Sequence, residues 1–169
     1  SNISPYFLDL YNLIDSTFLF SEKAIIALTM TFVIIARQID LSVASIIAVS
    51  SVVLGYTTSL GYDTWLVLLL TLLSGTLCGA FNGAIITKFA IPSIIVTIGT
   101  MSLFRGLAYS FLEDSYYNKF PKLVGELGGG YLYGYIPYAF LTFILLAFVF
   151  AFILHKTSIG KKIYSIGNN

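Results

Sequence analysis

Side chains able to do chemistry are scarce in this chain, and where they occur they interrupt apolar sequence. Only 10% of the 169 residues are charged, and 57% are hydrophobic. One small polar knot is Arg37-Gln38-Ile39-Asp40-Leu41-Ser42-Val43-Ala44-Ser45. It lies between two uncharged runs, Ala24–Ala36 and Leu41–Leu60. A carboxylate, a guanidinium and two hydroxyls at this spacing suit two tasks. They can cap a helix, because Asp is a favoured N-cap and suits the positive helix end. They can also gate a solute path. Further along come Asn82, Thr97 and Thr100, and then Arg105, the one charge well inside an apolar span. A charge at that depth costs about 2.5–3.5 kcal/mol on insertion scales. It either faces a bundle interior or wet cavity, or snorkels to the nearer outer surface. Asp63, Glu113 and Asp114 are its candidate partners.

Bond-making chemistry is not readable here. The serines have no base at a recognisable spacing. His155 is the only histidine and Cys78 the only cysteine, so neither a disulfide nor a metal cluster is expected. Cys78 reads as a small packing residue. Gly160-Lys161-Lys162 lacks the glycine loop and hydroxyl of a nucleotide-binding P-loop. The net charge of +1, with no basic stripe, argues against nucleic acid. No cofactor, metal or catalytic residue is expected, and the chain does not read as an enzyme. Polar residues along apolar helices without a reactive group point to movement of a solute.

The elements that position these residues are membrane spans. Mean hydropathy is +0.90, and a soluble domain usually carries about 25% charged residues. A helix needs about 20 apolar residues to cross a bilayer. Residues 41–60, 64–87, 91–112 and 137–154 meet that length, and 20–36 reads as a shorter, tilted span with Glu22 and Lys23 near its outer end. Residues 1–19 lack the basic start and apolar core of a signal peptide and read as an interfacial segment. The expected fold is all-α, a polytopic transmembrane bundle with about five spans. Both ends suggest a piece of a longer protein.

Orientation follows Lys and Arg in short loops. The segment 155–169, with Lys156, Lys161 and Lys162, is expected in the cytoplasm, as are Arg37 and Lys88. Asp63 and the aromatic, glycine-rich loop 113–136 are expected outside, the latter as interface anchors or as a surface that docks an external partner. The third span carries Gly75, Gly79 and Gly83, four apart on one face, which allow close helix packing. Asn82 beside that face needs a partner across a helix, or lines a pore. Pro92 is placed at the first helical position of the fourth span.

Several of these stretches, in the same order, resemble the permease subunits of bacterial sugar-type ABC importers. Ile39-Asp40-Leu41-Ser42-Val43-Ala44-Ser45 is similar to that family's I-D-L-S-V-G-S signature, with Ala44 in place of glycine. Phe81-Asn82-Gly83, Ile91-Pro92-Ser93-Ile94-Ile95-Val96-Thr97-Ile98-Gly99-Thr100 and Phe104-Arg105-Gly106 follow. Lys156 to Asn168 is similar to its T-x-x-G-R-x-x-Y-A-I-G-x-N run. The resemblance covers nearly the whole chain. It is closer to the ribose, rhamnose and autoinducer branches than to the branched-chain amino-acid branch.

The resemblance implies a bundle of about ten helices, of which this chain lacks the first span and everything after Asn168. It implies a multi-pass subunit of the bacterial inner membrane working by alternating access. Its implied partners are cytoplasmic ATPase subunits, an extracytoplasmic sugar-binding protein and a second permease, identical or homologous. Lys161, Lys162 and Tyr164 would lead into the loop that docks on the ATPase, and the chain alone is not expected to couple to ATP. Arg37, Asp40, Ser42, Ser45, Asn82, Thr97, Thr100 and Arg105 are the candidates for translocation or gating, with Arg37 and Asp40 fixing the inner turn and Ser42 and Ser45 capping the second helix. An ion-coupled carrier and a non-transporting structural membrane protein are the rival readings.

Overall fold

The computed structural model describes residues 10–112 and 116–168. Two of the suggested partners of Arg105, Glu113 and Asp114, lie outside the described residues, as do positions 1–9 of the interfacial segment. Seven helices dominate the described residues: α1 (Leu10–Ile35), α2 (Val43–Ser59), α3 (Thr64–Phe89), α4 (Ser93–Leu112), α5 (Lys122–Gly129), α6 (Tyr138–Lys156) and α7 (Ser158–Gly167). A two-stranded hairpin of β1 (Tyr131–Leu132) and β2 (Ile136–Pro137) separates α5 from α6. Helices α3, α4 and α6 and the Ser16–Ile35 part of α1 are long and apolar enough to cross a membrane.

Two expectations are corrected. The first helix does not begin at Phe20; it runs back to Leu10, so residues 10–19 are helical. Glu22 and Lys23 are exposed on that helix, where they interrupt neither its backbone nor its packing. The second helix is 17 residues, not twenty. At 1.5 Å per residue it spans about 25 Å, short of a hydrocarbon core of about 30 Å. Its start is delayed because residues 38–42 form no regular secondary structure, and its far end is closed by Gly61 at φ +77°.

The chain packs as two compact units. The first comprises Gln38–Pro121 and holds α2, α3 and α4. Short turns join consecutive helices, so α3 runs antiparallel to both α2 and α4, and α2 and α4 are parallel. The α2–α3 turn ends on Asp63, whose Oδ2 accepts from Trp65 N at 2.9 Å and caps α3. The α3–α4 turn uses Ala90 in the left-handed region, φ +53°, followed by Ile91 and Pro92. Pro92 sits one residue before α4 rather than inside it, and its carbonyl accepts from Ile95 N at 3.0 Å. A proline there needs no N–H of its own.

Helix α4 is the most enclosed span, with 28% of its apolar window buried against 6% for α3. Large side chains on α3 point away from this unit, including Trp65, Leu69, Leu72 and Leu77. An aqueous surface of that kind would be costly at roughly 25 cal/mol per Å²; lipid removes the cost. Ser and Thr hydroxyls inside the spans donate to carbonyls three or four residues back, as Thr57 does to Val53 O at 2.7 Å and Thr71 to Val67 O at 2.8 Å. This satisfies them where water is absent.

The second unit comprises the chain up to Arg37 and from Lys122 onward. Here α1 packs on α6 through edge-to-face rings, Phe20 with Phe143 at 5.9 Å and Phe32 with Phe150 at 5.0 Å. The segment expected to be a loop is folded: α5 carries an exposed Lys122–Glu126 ion pair, and the hairpin turns at Tyr133 and Gly134, both at positive φ. Helix α7 is capped by Thr157, whose Oγ1 accepts from Gly160 N at 3.3 Å. A Cβ on Gly160 would strike the Leu154 carbonyl of α6, and one on Gly167 would strike the Ile35 carbonyl of α1. Helix α7 therefore meets both neighbours by direct backbone approach.

Candidate functional site

The polar cluster before α2 is a folded hydrogen-bonded knot. Its residues cannot join α2, because Asp40 competes for the backbone. Asp40 Oδ1 accepts from Ser42 N at 2.8 Å and from Ser42 Oγ at 2.6 Å. This is the Asx-type turn that Asp forms with the residue two positions on. Ser42 O then accepts from Ser45 N and Ile46 N, both at 2.9 Å, and α2 is under way.

The hydroxyls are used differently from the expectation that Ser42 and Ser45 cap α2. The Ser42 side chain makes no cap. Its single proton goes to Asp40, and its oxygen accepts from Asn82 Nδ2 of α3 at 2.8 Å. Ser45 Oγ donates back to Ser42 O at 2.7 Å. Ser42 and Ser45 are both fully buried and Asn82 is 4% exposed. Because the Ser42 proton is committed to Asp40, Asn82 must present its NH₂ to Ser42, which fixes the amide orientation. Asn82 Oδ1 is left without a partner among the described residues. A buried unsatisfied acceptor costs about 1–3 kcal/mol.

Helix α4 holds the same knot from its other side. Ile39 N donates to Ser93 Oγ at 3.0 Å, and Thr97 Oγ1 donates to Ile39 O at 3.3 Å. Both backbone polar groups of Ile39 are thus satisfied by side chains more than fifty positions away. Thr100, also buried, makes only a long contact to Thr97 O at 3.5 Å. The knot therefore ties α2, α3 and α4 together at one end. Asp40, Ser42, Ser45, Asn82 and Thr97 are brought into it; Ser93 and the backbone of Ile39 are members that residue type alone does not single out. The sole signal for Ser93 was its place after Pro92 at a helix start.

The remaining candidates lie elsewhere. Arg37 ends α1 in the left-handed region, φ +56°, with Arg37 N donating to Ile34 O at 2.9 Å; its side chain is exposed. Arg105, on α4 about three turns beyond the knot, is exposed to a cavity between α2 and α4. Asp63 is not its partner, being engaged in capping α3. Of the three glycines on α3, Gly75 lies against α2, where an added Cβ would sit 3.1 Å from Ser50 Oγ. Gly79 and Gly83 face open space within the chain. Lys161, Lys162 and Tyr164 are on the exposed side of α7. Among the described residues there is no cluster of His, Cys, Asp and Glu fit to hold a metal ion.

The family model described as "Branched-chain amino acid transport system / permease component" matches residues 12–169. The chain is similar to the autoinducer 2 import system permease protein LsrC of Escherichia coli O9:H4 (strain HS), at 35% identity over 86% of this chain and 42% of that protein. It is 36% identical to LsrC of Shigella flexneri over the same shares, and 34% identical to LsrC of Photorhabdus laumondii over 94% of this chain and 48% of that protein. The chain thus spans less than half the length of these relatives. No solved structure matches it. With the match running through the knot, α3, α4 and α7, this chain belongs to the permease-component family of the branched-chain amino acid transport system, and is a multi-pass membrane protein.

Proposed function

We propose that this chain is part of the permease subunit of an ATP-driven importer in the bacterial inner membrane, carrying a monosaccharide or related small polar solute. The observation that carries the reading is the knot itself. Polar groups from three lipid-facing helices and the irregular segment before α2 converge on Ser42 and Ile39. Hydrogen bonds of Ser, Thr and Asn across helices join neighbouring spans where no water is present. The knot makes α2, α3 and α4 a single body at that end, and alternating access needs such bodies.

In this reading Asp40 holds the start of α2, Asn82 and Thr97 tie it to α3 and α4, and Arg37 stands at the joint where α1 ends. The basic residues Arg37, Lys88, Lys161 and Lys162 put the knot and α7 on the cytoplasmic side. ATP is hydrolysed by separate cytoplasmic subunits, which the exposed side of α7 approaches. A second permease completes the pathway, and an external binding protein delivers the solute. The LsrC relatives are named for autoinducer 2 import, which agrees with a small polar cargo.

The test is uptake by vesicles containing the full-length permease with its ATPase and binding protein. Uptake should require internal ATP and survive collapse of ion gradients. Uptake that persists without ATP and stops with the gradient would identify an ion-coupled carrier instead. Absence of both uptake and solute-stimulated ATP hydrolysis would leave a structural protein.

A further inference from the structure

From the α2–α4 cavity we infer that this chain carries a solute-binding site of its own, built around Arg105 and suited to an uncharged polyhydroxylated ring. The inference rests on the importer reading above. The cavity measures about 660 Å³ and runs from Ala44, two residues beyond the knot, to Tyr116 and Tyr117 beyond the far end of α4. Known small-molecule pockets measure about 300–1,000 Å³. Ala44, Ala48 and Ser51 line one wall from α2, and Arg105 and Tyr109 line the other from α4. Small side chains on α2 leave the space, and the polar groups on α4 face it.

Three features give the site its chemistry. Arg105 makes no hydrogen bond or ion pair among the described residues. Its planar guanidinium therefore offers five N–H donors to whatever enters. Ser51 adds a hydroxyl from the facing helix, so donors converge from both walls. Tyr109 and Tyr117 supply aromatic faces against which the C–H face of a sugar ring can lie.

Tyr117 is held in place by a specific device. Gly55 of α2 lies directly beneath it, and a Cβ there would come within 2.6 Å of the Tyr117 Cβ and Cγ. Tyr117, Val52 and Ala108 also line a smaller, apolar cavity of about 270 Å³ with Val49, Val53 and Phe111, and Arg105 lines only the larger one.

The experiment uses the full-length permease with its ATPase in proteoliposomes, and measures uptake with the external binding protein added and equilibrium binding without it, using radiolabelled D-ribose and D-galactose, with D-galacturonate as the anionic counterpart. Arg105→Ala should weaken binding of the neutral sugar and raise the KM for uptake about tenfold or more, the loss expected for one charge-assisted hydrogen bond. Arg105→Lys, which keeps the charge but not the fork, should recover part of it. Ala48→Trp, which fills the cavity, should abolish both. Ser102→Ala, on α4 but outside the cavity, should leave both unchanged. Wild-type binding and KM in Arg105→Ala and Ala48→Trp would overturn the site and mark the cavity as a seat for a neighbouring helix. Stronger binding of galacturonate than of either neutral sugar would overturn the assigned solute class. For protein that folds poorly, alkylation of Ser51→Cys in a Cys78→Ser background gives a second reading. Ribose or galactose should slow it, and no protection overturns the site. Sugar binding lost in Arg105→Ala, alongside uptake that ignores ATP, would keep the site and reject the ATP-driven reading.

Discussion

The two ends of the α2–α4 pair are built on opposite principles. At the knot, nearly every polar group has a partner: Asp40 Oδ1 takes two donors, Ser42 Oγ both gives and receives, and Ile39 is bonded through N–H and C=O alike. Three turns away, Arg105 has no partner among the described residues and looks into open space. The first arrangement resists change, because breaking any one bond strands its counterpart in a low-dielectric setting. The second is ready to accept something. On the proposed importer reading, the first would serve as a rigid joint and the second as a surface for cargo.

The largest effect is expected at Asp40. Asp40→Ala removes two hydrogen bonds, one to a backbone N–H at the start of α2 and one to a buried hydroxyl. Hydrogen bonds to charged groups contribute about 1.5–3 kcal/mol each. The full-length protein should lose roughly 3 kcal/mol or more of stability in detergent, and uptake should fall sharply. Unchanged uptake at normal expression would show the knot to be dispensable and erase the contrast.

Gly55→Ala should come next. The added methyl meets the Tyr117 ring at 2.6 Å, an overpacking that costs about 1–3 kcal/mol. Tyrosine fluorescence or limited proteolysis between α4 and α5 should report a displaced Tyr117. A variant indistinguishable from wild type would mean that Tyr117 is not seated on α2.

Asn82→Ala should cost less than its burial suggests. It removes the 2.8 Å bond to Ser42 but also the partnerless Oδ1. Interhelical hydrogen bonds in bilayers average about 0.6 kcal/mol, so a loss of about 1 kcal/mol or less is expected by denaturant titration. A much larger loss would show that Asn82 Oδ1 is satisfied in the membrane.

The smallest effects separate the α3 glycines. Gly75→Ala is crowded by Ser50 Oγ at 3.1 Å and should be mildly destabilising, while Gly79→Ala meets nothing within 4 Å of its new Cβ. Measured on the isolated permease, Gly79→Ala should change stability by less than about 0.5 kcal/mol. If it instead disrupts the assembled transporter, the open part of that face is where another helix comes to rest.

Much of this was legible in the residues. A carboxylate, two serines and an amide inside apolar sequence have few ways to be satisfied without water, so Asp40, Ser42, Ser45 and Asn82 announced a junction between helices. What they bond to was not legible. The Ser93 and Thr97 contacts to Ile39 join positions 54 and 58 apart, and the partner is a backbone, which leaves no trace in side-chain type. The seat of Tyr117 on Gly55 is equally long-range, so Tyr116 and Tyr117 read as interface anchors or part of a docking surface, not as a packing contact. The start of α1 was misplaced because Glu22 and Lys23 resemble a helix boundary in sequence, yet an exposed face accommodates both. The folding of 122–137 into α5 and a hairpin was hidden by glycines that also suit a loop; Gly134 at φ +77° is a turn residue.

The bare backbone contacts of α7 have a mechanical corollary. At Gly160 and Gly167 the helix rests on the main chains of α6 and α1, with no flexible side chain between them to absorb displacement. A push on the exposed Lys161, Lys162 and Tyr164 side is therefore delivered to Ile35 nearly undamped. Ile35 lies two residues before Arg37, where α1 gives way, so a ten-residue helix with a basic surface rests directly on the end of the longest one in its unit.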